Sequence, residues 1–225
     1  PDTTARFERG DTPGRETPKD GAGARRSAMR RHVAILSAAA RALHFAHENG
    51  VLHRDVKPAN MLVAHGDVVK LADFGLARLE SRGDTLTASG QILGTLAYMA
   101  PEQIAGKKVP LSRRTDIYAL GVTLYELLTG RRPFDEESAA TMMQRIQQDD
   151  PERPSRVATD VPCDLEVICL KAMEKDPERR FATAADFADD LDRWLKNEPI
   201  LARAAGPMTR LAKFARRRKI PIVIV

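Results

Sequence analysis

"GVLHRDVKPANMLV", residues 50–63, sets His53, Arg54, Asp55, Lys57 and Asn60 among the apolar positions Val51, Leu52, Val56 and Met61 to Val63. Charged and amide groups are costly to bury unless each has a partner. A stretch this polar inside a strand-and-turn pattern therefore needs partners elsewhere in the chain.

Upstream, Leu36, Ala39, Ala40, Leu43 and Ala46 recur at helical spacing from Arg30 to the stop at Asn49-Gly50, so an amphipathic helix leads into the stretch. Downstream, "NMLV" and "VVKLA" are short apolar runs separated by "AHGD", a hairpin signal. "DFG", residues 73–75, begins thirteen positions beyond Asn60. Residues 76–99 are rich in Gly, Ser and Thr without periodicity and read as a long loop, which "APE" closes at 100–102. "DIYALGVTLYELLTG", 116–130, is apolar nearly all round and ends at a glycine, the pattern of a helix buried in mid-domain. Helices follow at roughly 136–148, 163–175 and 184–196, the last with Thr183 as cap and Asp186 answering it. The expected fold is mainly α with one small β-hairpin.

The chain has 225 residues, 43% of them hydrophobic and 30% charged, which suits a folded globular domain and excludes a disordered one. Cys163 and Cys169 lie six apart on a predicted helix, on faces that can neither bridge nor share a metal, and read as two core thiols. His32, His44, His47 and His65 lack neighbours at metal spacing and receive no role. The net charge of +5 has a local source: residues 203–219 carry seven basic residues and no acid, leaving the remainder mildly acidic. Residues 1–29 hold three Pro, four Gly and mixed charges, and read as a flexible linker or insert ahead of a folded unit at 30–202.

"HRDVKPAN", "DFG" and "APE", in this order and these contexts, resemble the eukaryotic-type (Hanks-type) serine/threonine protein kinases, of the bacterial membrane-anchored kind, from about Arg30 to Leu201. The resemblance implies the α+β kinase fold, here its C-terminal lobe, and transfer of the ATP γ-phosphate to Ser or Thr hydroxyls of protein substrates. Such transfer needs little covalent help and much placement of charge. Asp55 would then receive or orient the substrate hydroxyl, and Lys57 would set a positive charge on the moving phosphate. Asn60 and Asp73 would hold Mg²⁺, for which Mn²⁺ could stand in. Leu62 would lie under the adenine ring, and Thr95 would bond the catalytic Asp and Lys. His53, Arg54, Glu102, Asp116 and Arg180 take structural places: Glu102 and Arg180 as a buried ion pair, Asp116 as the residue bonding the backbone around His53 and Arg54. An arginine beside a catalytic aspartate also awaits an anion, for which phosphorylated Thr87, Ser89 or Thr85 are the candidates.

A kinase also needs a glycine-rich loop and a strand lysine. Before Asp55 these residues offer only "DGAGARR", without a third glycine or flanking strand, so the N-terminal lobe is expected from other protein and this chain alone is expected to be inactive. The competing reading is a catalytically silent kinase lobe acting as a docking module. Residues 203–225 form a basic tail ending in six apolar residues, too few for a bilayer that takes about 20. Basic residues ahead of an apolar start obey the positive-inside rule, so an anionic membrane surface on the cytoplasmic face is the expected partner. Nucleic acid is not expected, since only Phe214 offers a stacking face there.

Overall fold

The computed structural model describes residues 21–64, 68–74, 90–106 and 109–203. Helix α1, Gly21–Glu48, delivers the chain to a loop and a single 3₁₀ turn, Pro58–Asn60. Strands β1, Met61–Val63, and β2, Val69–Leu71, follow and pair antiparallel, with Leu62 opposite Lys70. Two short helices, α2 (Gly90–Leu96) and α3 (Pro101–Ile104), precede the long α4, Arg113–Thr129. Then come α5 (Ala139–Gln148), α6 (Pro154–Val157), α7 (Cys163–Ala172) and α8 (Ala184–Leu195). The described residues are thus mainly helical, with one two-stranded sheet.

Helix α4 forms the axis of the core. It is apolar nearly all round because it is buried nearly all round, from Thr115 to Tyr125 and again at Leu128. Ser112 caps its N-terminus by accepting from the Arg114 amide, and Gly130, at φ 72°, ends it in the left-handed conformation that glycine adopts without steric cost. α7 packs along α4, closely enough that a Cβ at Gly121 would lie 2.8 Å from Ala172 Cβ and from Met173 Cγ. α1 packs along α8, with Val33, Leu36, Ala40 and Leu43 in the core. The Thr183 and Asp186 capping box opens α8 as the sequence predicts: the Asp186 amide donates to Thr183 Oγ1 at 3.0 Å and the Thr183 amide to Asp186 Oδ2 at 2.9 Å.

Three expectations need correction. α1 begins at Gly21 rather than Arg30, so residues 21–29 of the stretch read as linker are helical. Residues 23–28 are exposed, and an exposed run of Ala and Arg, good helix formers, carries no apolar periodicity to betray it. The long loop read over 76–99 contains α2 at its end. Cys163 is exposed on the first turn of α7, and only Cys169 is a core thiol, its pKa pushed up by burial. Among the described residues no helix is long and apolar enough to cross a membrane.

Candidate active site

The loop between α1 and β1 gathers its polar groups on one carboxylate. Asp55 Oδ2 accepts from Lys57 Nζ at 2.8 Å and from Asn60 Nδ2 at 3.0 Å. Asn60 Nδ2 also donates to the Asp55 carbonyl at 2.8 Å, so both its hydrogens are committed and Oδ1 is the end left for another partner. Lys57 Nζ reaches across to Thr95 Oγ1 at 3.0 Å, tying the loop to α2. Asp55, Lys57, Asn60 and Thr95 are therefore brought together, Thr95 through Lys57.

The hairpin supplies the fifth member. The Ala72 amide donates to the Asn60 carbonyl at 2.9 Å, which extends the ladder past the strands and puts Asp73 one residue from Asn60's backbone. Asp73 is exposed, with φ 61° in the left-handed region, sparsely populated by non-glycine residues and frequent at functional sites. Leu62 is 55% exposed and Phe74 37% exposed, while the Phe74 ring lies 4.5 Å from the buried His53 ring. Apolar surface thus stands open beside the carboxylates.

Asp116, buried at the head of α4, holds this loop from beneath. Its Oδ2 accepts from the His53 amide at 2.9 Å and its Oδ1 from the Arg54 amide at 2.7 Å. A third donor escaped the sequence reading: His47 Nε2 lies 2.8 Å from Asp116 Oδ2, and both side chains are 1% exposed. His47 continues the buried stripe Leu36, Ala40, Leu43 by one more turn, and a polar residue in phase with a core stripe was the available signal. Farther down, Arg180 and Glu102 form a two-pronged ion pair at 2.6 and 2.8 Å, with side chains 0% and 3% exposed. The remaining Arg180 hydrogens go to the carbonyls of Glu174, Arg114 and Lys175, so every donor of the guanidinium is used.

Thr85, Thr87 and Ser89 lie outside the described residues, as do residues 204–225 of the tail. The Arg54 side chain is exposed and makes no hydrogen bond or ion pair among the described residues. Among those residues no three His, Cys, Asp or Glu side chains cluster as a ligand shell for a metal. The hard oxygens of Asn60 and Asp73 nonetheless fit Mg²⁺, which binds through one or two protein oxygens and takes phosphate and water for the rest.

A carboxylate bonded to a lysine and an asparagine, a second aspartate at the end of a hairpin, and a buried Arg–Glu pair thus make up the site and its support. The protein kinase domain model fits residues 24–190, and the chain belongs to that family. It is 42% identical over 167 residues to "Serine/threonine-protein kinase PknB" of Mycolicibacterium smegmatis, covering 74% of this chain and 26% of that protein. It is 40% identical over 171 residues to the protein of the same name from Mycobacterium tuberculosis, covering 76% of this chain and 27% of that one. A "Probable serine/threonine-protein kinase PknB" of Bifidobacterium longum is 37% identical over 179 residues, 79% of this chain and 26% of that one. The chain spans about a quarter of the length of these curated relatives.

Proposed function

We propose that these residues are the lower, helical lobe of a serine/threonine protein kinase, transferring the γ-phosphate of ATP to Ser or Thr hydroxyls of proteins. The sharing of Asp55 Oδ2 between Lys57 and Asn60 supports this reading most strongly. Among the described residues it leaves the other oxygen of Asp55 without a hydrogen-bond partner, available to orient a substrate hydroxyl and accept its proton. Lys57, braced by Thr95, would pair with the transferring phosphate. Asn60 and Asp73 would hold Mg²⁺, which when bound supplies charge neutralisation at the phosphates. Leu62 would form the apolar floor under adenine, and its exposure supports that placement.

The other half of the nucleotide cleft is assigned to an upper lobe, because residues 1–54 contain neither a glycine-rich loop nor a strand lysine. Phosphorylation at Thr87, Ser89 or Thr85 would bring an anion to Arg54. The basic tail from Arg203 would lie on an anionic membrane surface, with the lobe on its cytoplasmic side.

Phosphorylation assays on the chain alone, and on the chain joined behind a protein-kinase upper lobe, test the reading. The joined protein is expected to turn over, with Asp55→Asn lowering kcat by about 10²- to 10⁴-fold. The chain alone is expected to be silent. Equal activity of the Asp55→Asn protein would remove Asp55 from the mechanism, and turnover by the chain alone would remove the lobe assignment.

A further inference from the structure

We propose that Gln103, on α3, is a positioning residue for Asp55, an inference resting on the kinase reading only for its catalytic consequence. Arg54 has φ 67°, a left-handed conformation that is unfavourable for a non-glycine residue and persists only where its surroundings enforce it. Two side chains from different helices hold it. On one side Asp116 of α4 accepts from the Arg54 amide at 2.7 Å. On the other, Gln103 Nε2 donates to the Arg54 carbonyl at 2.9 Å.

That carbonyl belongs to the same rigid peptide plane as the Asp55 amide. The Asp55 amide donates to His53 Nδ1 at 3.3 Å, a long bond that could not fix the plane by itself. Gln103 therefore holds the carbonyl end of the plane from which the Asp55 side chain departs. Loss of this bond frees the plane to rotate, carrying with it the carboxylate that Lys57 and Asn60 share.

The orientation of the Gln103 amide is set by its second bond, because Oε1 accepts from the Ala100 amide at 2.9 Å. One side chain thus joins the start of α3 to the backbone beside Asp55. A plain helix cap needs only the Oε1 bond. The Nε2 bond does nothing for α3, and separating the two tests the proposal.

Gln103→Glu keeps an acceptor for Ala100 and replaces the donor to Arg54 with an oxygen, whereas Gln103→Met removes both. Amide hydrogen exchange on the 225-residue chain, read residue by residue by NMR beside the thermal midpoint, provides the comparison. In Gln103→Glu the Asp55 amide is expected to exchange about three- to tenfold faster, the Ala100 amide to stay unchanged and the midpoint to hold. In Gln103→Met both amides should quicken. Acceleration confined to Ala100, with Asp55 unchanged in both variants, would overturn the proposal and leave Gln103 a cap. In the two-lobe phosphorylation assay, Gln103→Glu should lower kcat about tenfold while KM for ATP stays within twofold. Unchanged kcat alongside faster Asp55 exchange would overturn the catalytic consequence. Because exchange is read without turnover, it stands or falls separately from the kinase reading.

Discussion

Asp116 Oδ1 lies 2.7 Å from the amide of Arg54, sixty-two positions earlier in the chain, and the Oδ2 of the same carboxylate serves His53 and His47. A buried carboxylate at the start of the core helix thus holds the amide side of the loop that carries Asp55. Hydrogen bonds to a charged acceptor stabilise more than neutral ones, and leaving buried donors unpaired is costly. Asp116→Asn, which keeps one acceptor but loses the charge, should destabilise the chain by about 3 kcal/mol in urea unfolding. A change below about 0.5 kcal/mol, the usual scatter of surface substitutions, would show that the loop is held by other means.

Arg180 and Glu102 are buried together, so removing one leaves the other charged and unpaired. Arg180→Met should cost about 3–5 kcal/mol, and adding Glu102→Leu should recover most of that loss. Thermal and urea unfolding of the single and double variants provide the cycle. A double variant no more stable than Arg180→Met would indicate that the three carbonyls bonded by Arg180, rather than Glu102, carry the stabilisation.

Gly121 lets α4 and α7 approach. An added Cβ would meet not only side chains but the Ala172 backbone carbon at 3.2 Å, which cannot swing aside. Gly121→Ala should therefore destabilise by about 1–3 kcal/mol through overpacking, although alanine is the better helix former. Equal or raised stability would mean that the two helices can slide apart cheaply.

The seam between α1 and α8 should respond to acid. Burial alone would raise the pKa of Asp192, but hydrogen bonds from Arg41 and from Ser37, the latter at 2.6 Å, outweigh it and hold the carboxyl below its ordinary 3.8. A carboxyl depressed in the folded state stabilises above its unfolded pKa, and that contribution fades as pH falls through the folded value. Arg41 is half exposed, so Arg41→Ala should cost only about 0.5–1 kcal/mol at pH 7, with the difference from the unsubstituted chain shrinking as the carboxyl is protonated in acid, below its ordinary 3.8. Denaturant midpoints from neutral pH down into acid measure it, and a difference that does not shrink as pH falls would refute the assignment.

The sequence announced the longer helices whose apolar residues face the core, as in α4 and α8, and missed helix where no stripe exists, as in residues 21–28 of α1, or where it is too short to show a period, as in α2, α3 and α6. The nearness of Asp55, Asn60 and Asp73 was legible because "HRDVKPAN" and "DFG" resemble protein-kinase motifs and a hairpin signal lies between them. His47 was not: its partner Asp116 is distant in sequence, and only the packing of α1 across α4 joins them. Gln103 was hidden for the same reason, since its reach to the Arg54 carbonyl depends on where α3 comes to rest.

The most direct test of the site follows bound Mn²⁺ on the 225-residue chain by NMR line broadening, with ATP present. If Asn60 and Asp73 hold the cation, signals of Asn60, Ala72 and Asp73 should fade at sub-stoichiometric Mn²⁺, before those of the acidic Asp186 and Asp189 on α8, and Asp73→Asn should abolish that order. Broadening that begins on α8, or that ignores Asp73→Asn, would contradict the account.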